Sequence, residues 1–480
     1  MKSRVLLTIL SFEMLSGMAL AQHEHHAPPA ATPTPSHEHP VPPAAPAPEA
    51  SPHQHPGSPA PEAAASAAHA HGEAAQTTDR NLFQSDMALM TGMTPHDPMA
   101  GMAMPGWHLT VMGIARLGYN RQGGRSGDDA FESSNWNMIH AAHDLGRGRL
   151  SLMLMNSLEP WTFEKRGSPE LFQTGESYRG QPLVDRQHPH DLFMNISATY
   201  RLPIGREGAA WFQLAPVGEP TVGPTAFMHR ASSGENPTAP LGHHWQDSTH
   251  ITFNVVTAGF GWSAVSIEGS AFHGAEPDED RKDIEGGAID SAAGRIKLRL
   301  PNGWSAQVSH AFLHEPEAAS PGDLRRTTAS VHYGAEGDRP FAATLIWGRD
   351  DEAHGVSDSL LLEAAYQLTR ADHVFGRVEW VEKDRHLLQF KGAEVTPAID
   401  LPEIARIGAF TVGYLRDFVL ARSYRLGAGA DVTAYAFPSG LKAVYGDSPV
   451  SAHVFLRVRW GEAHGAMDHS GMAGHGGGGR

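Results

Sequence analysis

Short segments that alternate polar and apolar residues fill the chain from Trp107 to Trp460. The first is WHLTVMGIARLGYN, and its apolar face carries Trp107, Leu109, Val111, Ala115, Leu117 and Tyr119. Successive side chains of a β-strand point to opposite faces, so alternation predicts a strand with one apolar side. The pattern predicts about sixteen such strands. They lie near 107–120, 134–144, 150–158, 191–202, 209–215, 250–260, 263–273, 286–300, 304–314, 325–335, 341–348, 358–369, 373–382, 404–416, 422–436 and 450–460.

The connections between these segments alternate in length. Tight turns rich in Gly, Pro and Asp are expected at 146–149, 203–208, 301–303, 336–340 and 370–372. Longer links alternate with them, notably 159–190, 216–249 and 383–403. Outer-membrane barrels keep short turns on the periplasmic side and long loops outside. An even strand count then predicts that both termini are periplasmic.

Charged residues fall on the face that a barrel would turn inward. Arg295, Lys297 and Arg299 alternate with apolar residues, and the last strand sets His453 and Arg457 opposite its apolar positions. The strands of a soluble β-sandwich also alternate polar and apolar residues. A sandwich, however, gives no reason for short and long connections to alternate along the chain. A closed barrel is the only sheet that can cross a bilayer with every backbone group paired. We therefore predict an all-β fold, a transmembrane antiparallel β-barrel over 107–460, in contact with the lipid of a Gram-negative outer membrane.

The N-terminus has the organisation of a secretory signal peptide over residues 1–21. Lys2 and Arg4 precede an apolar run that ends in Ala19-Leu20-Ala21. The mature chain is then expected to begin at Gln22.

Composition excludes several kinds of chemistry. The 480 residues include no cysteine, which rules out thiolate metal sites and thiol catalysis. The formal charge of −16 argues against nucleic acid as a partner. Mean hydropathy is −0.33, as expected if apolar residues occupy only every second position of the strands.

Residues 22–85 are expected to be disordered, because their Ala, Pro, Glu and His composition cannot bury enough apolar area to fold. Histidines recur in close sets, and two imidazoles at i, i+2 of an extended chain lie on one side and can hold a divalent ion loosely. The alternative is a solubilising tail with no metal role. The histidines are His23, His25, His26, His37, His39, His53, His55, His69 and His71.

A methionine-rich segment follows at 86–106. Thioethers among Gly and Pro suit a soft ion such as Cu(I), whereas a packed core would use Leu and Val. The alternative is an amphipathic plug or a lead-in to the first strand. The candidate ligands are Met87, Met90, Met93, His96, Met99, Met102 and Met104.

The C-terminal tail, 461–480, contains the sequence MDHSGMAGH. Its candidate ligands are Met467, Asp468, His469, Met472 and His475. This motif resembles the Met/His motifs of copper-resistance outer-membrane β-barrel proteins, in which a Met/His-rich N-terminal segment precedes a barrel. The resemblance implies a role in copper resistance. Imidazole takes Cu(II), thioether takes Cu(I), and unstructured sites exchange fast, so we expect the tails to capture copper without tight binding.

Histidines also gather in two of the long links. QHPHD holds His188 and His190, and LGHHWQDSTHI holds His243 and His244. The second sequence, with APVGEPTVGPTAFMHR, resembles uncharacterised outer-membrane proteins associated with heavy-metal efflux. These histidines could form an outer metal site, or a polar loop satisfied by its own hydrogen bonds. The prolines and glycines of 216–249 favour a defined loop that folds into the lumen.

The sequence contains no GxSxG elbow, P-loop or HExxH motif. Ser309 and His310 are neighbours in one strand and should point to opposite sides. We expect a non-enzymatic outer-membrane barrel in copper or related heavy-metal binding, tolerance or export, with periplasmic metal-efflux components as candidate partners. The alternatives are a general porin-like channel or structural barrel without a metal role, and a barrel enzyme.

Overall fold

The computed structural model describes residues 106–461, except 176, 206, 319, 336–338, 354, 385–387, 389–402 and 421–423. The predicted signal peptide, the histidine-rich segment 22–85, the methionine-rich segment as far as residue 105, and the tail beyond residue 461 lie outside the described residues.

Sixteen antiparallel strands close into one barrel in simple sequence order. The ring is completed by the first and last strands, which pair with Gly113 opposite Trp460. The strands are β1 (His108–Arg121), β2 (Asp129–Leu145), β3 (Gly148–Asn156), β4 (Phe193–Ile204), β5 (Gly208–Gly218), β6 (Thr252–Trp262), β7 (Val265–His273), β8 (Ser291–Arg299), β9 (Trp304–Leu313), β10 (Leu324–Ala335), β11 (Phe341–Glu352), β12 (Gly355–Gln367), β13 (Asp372–Asp384), β14 (Ile404–Leu420), β15 (Tyr424–Ala436) and β16 (Val450–Trp460).

The predicted fold and strand count are confirmed, and each predicted segment overlaps one barrel strand. The main differences are at strand ends. β2 begins at Asp129, earlier than predicted, and β8 begins at Ser291, later than predicted. The late start of β8 has a local cause: Asp290 accepts hydrogen bonds from the Gly274 amide (2.8 Å) and the Ser291 hydroxyl (2.9 Å). These bonds tie the ends of the β7–β8 connection together.

The connections alternate as predicted, with one exception. On one rim, five residues or fewer separate the strand ends of β2–β3, β4–β5, β6–β7, β8–β9, β10–β11, β12–β13 and β14–β15. On the other rim the strand ends are separated by more residues, except that only two residues separate β11 from β12. His108 pairs with Ala142 and Trp460 pairs with Tyr424, so the barrel begins and ends on the short-turn rim.

The exterior of the barrel is apolar and the interior is polar. Ile296, Leu298 and Leu456 are exposed, whereas His453 and Arg457 are buried inside, as the alternation predicts. Exposed Trp262 and Trp304 flank short turns, where an aromatic girdle is expected. This surface is typical of a barrel that faces lipid.

Helices occur only as single turns in the connections of the described part of the chain. The α-helices are α1 (Glu159–Thr162), α2 (His243–Gln246) and α3 (Lys442–Tyr445), and the 3₁₀ turns are Phe227–His229, Ser248–His250 and Ser439–Leu441. Among the residues that the structure describes, no helix is long and apolar enough to span a membrane. Two-residue ladders join Ser168–Pro169 to Arg186–Gln187, and Ser177–Tyr178 to Gln181–Pro182.

Two long connections fold into the lumen. We call 157–192 the first inner loop and 219–251 the second inner loop. Phe172 of the first and Trp245 of the second pack in one buried apolar cluster with Ile407 of β14 and Tyr445 of α3. The prediction of a defined loop folded into the lumen is confirmed for 219–249, whereas 216–218 belong to β5.

Candidate functional site in the barrel lumen

The second inner loop is anchored to the barrel wall by a buried arginine. Arg230 Nε donates to Glu363 Oε1 of β12 at 2.6 Å, and its Nη1 pairs with Asp247 of the same loop. At most 2% of any of these three side chains is exposed. Burial alone would raise the pKa of Asp247, but Arg230 and then His243 hold that pKa well below its usual range. Asp247 is therefore a carboxylate inside the barrel.

Arginines on β16 form a second anchor. Arg457 Nη1 donates to Glu235 Oε2 at 2.5 Å and Arg459 Nη2 lies 3.1 Å from Glu235 Oε1. Arg457 also pairs with Asp417 of β14. Burial opposes ionisation of Glu235, but Arg457 and Arg459 outweigh it and hold the pKa of this loop carboxyl far below normal.

The two inner loops are joined to each other through β13. The Nζ atom of Lys383 donates to Thr174 Oγ1 of the first loop (3.0 Å) and to the Leu241 carbonyl of the second (3.1 Å). The same ammonium lies 5.0 Å from the centroid of the Trp245 ring. Lys383 therefore holds the two inner loops together as one unit across the lumen.

Three histidines from the inner loops meet beside these anchors. The His250 ring lies 5.5 Å from that of His190 and 5.2 Å from that of His243, between ring centroids. Each Nδ1 has an oxygen partner: Glu159 for His190 (2.7 Å), the Asp247 carboxylate for His243 (2.7 Å) and the Asp247 carbonyl for His250 (2.9 Å). These contacts fix the ring orientations.

The pKa values of these buried histidines are shifted in opposite directions. Burial would lower the pKa of His190, but the Glu159 carboxylate outweighs it and raises that pKa. Burial and the neighbouring His243 and His190 hold the pKa of His250 well below its usual value. Burial also lowers the pKa of His229 to about 3. His229 and His250 are therefore neutral near pH 7, whereas the pKa of His190 is shifted in the opposite direction.

A separate group of metal-type ligands lies where the second inner loop meets two neighbouring connections. His244 Nδ1 is 3.2 Å from Glu317 Oε1 and 3.7 Å from Glu276 Oε1, and one ligand atom from each residue falls within 4.8 Å of the others. His244 is buried and the two carboxylates are partly buried. One imidazole and two carboxylates form a nitrogen–oxygen donor set, which suits Zn(II), Cu(II) or Mn(II) better than Cu(I).

Most residues proposed as metal ligands from the sequence lie outside the described residues. These are the histidines from His23 to His71, the Met and His ligands from Met87 to Met104, and the tail ligands from Met467 to His475. Of the described four, His190 and His243 belong to the histidine group and His244 to the His–Glu–Glu group. His188 is half-buried and lines a cavity beside β1 and β2.

The neighbouring Ser309 and His310 are on opposite sides of β9, as predicted. Ser309 is buried and accepts a hydrogen bond from the Gly223 amide at 2.8 Å, whereas His310 is exposed. Ser309 thus holds the second inner loop in place.

Sequence reasoning did not identify the anchoring residues. Strand parity places Glu363, Asp417 and Arg457 inside the barrel, but it does not say which loop residue each one meets. The partners Arg230 and Glu235 are separated from them by more than 100 residues, and only closure of the barrel brings them together. Glu317 likewise carries no local motif.

Comparison with known proteins gives distant structural likenesses only. No family model matches the chain, and no curated protein matches it. It is similar to Pseudomonas putida OprB, with 10% identity, a TM-score of 0.46 and coverage of 74% of this chain and 94% of that one. It is also similar to Vibrio cholerae OmpT, with 8% identity, a TM-score of 0.44 and coverage of 75% and 100%. The outer membrane channel DcaP of Acinetobacter baumannii is similar with 9% identity, a TM-score of 0.40 and coverage of 74% of this chain and 97% of that one.

At these scores the likenesses carry no argument about function. The barrel assignment depends on the strand pairing of this chain. The resemblance to copper-resistance barrels is not supported by a match, and the copper role stays a prediction from the tail motifs.

Proposed function

We propose that this chain is an outer-membrane barrel of the general channel type, with a lumen narrowed by its two inner loops. The supporting observation is the closed barrel of sixteen strands with an apolar exterior and a charged interior. Barrels of about this size leave an aqueous channel unless loops fill them. The anchored loops then set how much of the lumen conducts.

Conductance in planar lipid bilayers tests this proposal. The full chain is expected to give small, stable steps. Replacing 224–247 by a short Gly/Ser linker should enlarge the steps, because the residues that cross the lumen are gone. A barrel that folds but conducts in neither form would refute a channel role. Protease access to tags placed at each end of the barrel, in intact and permeabilised cells, tests the outer-membrane location and the periplasmic termini.

A second function, metal handling, is favoured by the His244–Glu276–Glu317 group together with the Met/His-rich tails. The tails would capture copper and exchange it quickly, since unstructured sites bind loosely. The lumen group would hold a divalent ion on the long-loop side, away from the rim where the barrel begins and ends. The captured copper would then be passed to periplasmic efflux components.

Metal titration with matched variants separates these sites. Deleting 22–105 and 461–480 should abolish Cu(I) binding, whereas His244→Ala should remove one equivalent of Cu(II) or Zn(II) and leave Cu(I) unchanged. His310→Ala is the control, because His310 lies exposed on the barrel wall. Unchanged binding in all variants would refute the metal function and leave the channel proposal standing.

A further inference from the structure

A cavity of about 70 Å³ lies between the barrel wall and the inner loops. β1, β2 and β16 provide its wall, and both inner loops contribute to its lining. At roughly 10–15 Å³ for each water-sized group, it has room for about five such groups. The cavity is therefore large enough for a small organic molecule.

Four polar atoms on residues that line this cavity are buried without a hydrogen-bond partner among the described residues. They are Arg116 Nε, Trp136 Nε1, Glu132 Oε2 and His453 Nε2. Only 6% of Arg116 and 7% of His453 is exposed. Buried polar atoms are nearly always paired with protein or ordered water. Four unpaired atoms on residues that line one cavity therefore point to an occupant with several polar groups.

Along β1, the unpaired donors lie at one end of the cavity and the unpaired acceptors lie at the other. Trp136 pairs with Ile114, two residues before Arg116 on the same face of β1, so two donors lie at one end. Glu132 pairs with Gly118, and His453 pairs with Asn120, so these side chains lie at the other end. At about 3.4 Å per residue, the Arg116 and Glu132 levels are roughly 7 Å apart along the strand.

The second end is an acceptor end. The His453 Nδ1 atom lies 2.7 Å from Asp431 Oδ1, which orients its N–H to that carboxylate and leaves Nε2 as an acceptor in the neutral ring. Glu132 Oε1 already accepts from Ser168 Oγ at 2.6 Å and Asn120 Nδ2 at 3.1 Å, so Oε2 is the unused oxygen. Glu170 of the first inner loop adds another buried carboxyl to the lining.

We propose that this cavity binds a small zwitterion of the amino-acid class. Its carboxylate would accept from Arg116 and Trp136, and its ammonium would donate to Glu132 and His453. Arg116 Nη2 already donates to the Gly234 carbonyl, so only its Nε atom needs a partner. A simple anion would leave Glu132 Oε2 and His453 Nε2 unpaired, and a simple amine would leave Arg116 Nε and Trp136 Nε1 unpaired. A molecule with both charges a few ångströms apart satisfies both ends.

Calorimetric titration of the folded, detergent-solubilised full chain tests this site, and it needs no conductance. The probes are glycine, β-alanine and γ-aminobutyrate, which differ in charge separation, with acetate and methylamine as single-charge comparisons. We expect one-site binding of at least one zwitterion, tighter than either comparison by about tenfold, the factor for one charge-assisted hydrogen bond. Binding of none of the zwitterions, or equal binding of acetate or methylamine, would overturn the proposal.

Two variants locate the binding to the cavity. Glu132→Gln removes the negative charge at nearly constant shape, and Trp136→Phe removes one donor at the other end. Each should weaken zwitterion binding by about tenfold. Glu352→Gln is the matched control, since Glu352 belongs to β11 and does not line the cavity. Equal weakening by Glu352→Gln would refute the site. If Glu132→Gln fails to show the fast gel migration of an unheated folded barrel, Trp136→Phe decides.

Discussion

The Arg230 anchor gives the most direct test of how the second inner loop is held. Arg230→Met keeps most of the side-chain volume and removes the charge between Glu363 and Asp247. Both carboxylates would then remain buried without their main cation. Loss of one partner from a buried ion pair typically costs about 3–5 kcal/mol.

The expected cost of Arg230→Met lies near the lower end of that range, because both carboxylates keep another basic partner. Glu363 keeps Arg377 at 3.4 Å, and Asp247 keeps His243 at 2.7 Å. We therefore expect a loss of about 3 kcal/mol, which is roughly a 100-fold change in an equilibrium constant. If the loss is confined to the loop, the population with the loop displaced from the lumen rises by that factor.

Bilayer conductance detects displacement of the loop from the lumen, and urea unfolding in lipid vesicles detects a loss of stability of the whole barrel. Arg230→Met should show frequent excursions to larger conductance or a lower urea midpoint. Arg349→Met is the control, because Arg349 is 47% exposed, pairs with Asp358 on the barrel wall, and such pairs contribute about 0–1 kcal/mol. If the two variants are indistinguishable in both assays, the anchoring role of Arg230 is wrong.

Three further predictions concern the same loops. Gly348→Ala should displace Trp245 and lower the urea midpoint, because a Cβ at Gly348 would lie 2.1 Å from the Trp245 carbonyl oxygen; Gly334→Ala, with nothing within 4 Å, should have little effect. Burial raises the pKa of Glu219 from 4.5 to about 7. Between these two pH values the folded protein keeps a proton that the unfolded chain has lost. Stability should therefore fall as the pH rises from 5 to 8, and urea midpoints of Glu219→Gln should depend less on pH. Lys383→Met should loosen both inner loops by about 1–3 kcal/mol, seen as faster proteolysis of 157–192 and 219–251 together; cleavage of one loop alone would contradict the shared anchor.

The strand pattern could be derived from the sequence because each strand is a local object. Alternation over about ten residues fixes which side chains face lipid. Turn residues indicate where a strand ends only approximately, since β2 and β8 begin away from their predicted positions. Ile296 and Leu298 face out, while His453 and Arg457 face in, as the pattern requires. The same parity placed Ser309 and His310 on opposite sides of β9.

What the inner loops do was decided by the tertiary structure. Composition indicated that 216–249 is a defined loop, but the pairing of Arg230 with Glu363 joins residues 133 positions apart. No local signal encodes such a pair, since it exists only after the barrel has closed. The sequence determined a barrel with charges inside. Closure decided which charges meet, how the lumen is filled, and that a cavity with a donor end and an acceptor end lies beside Arg116.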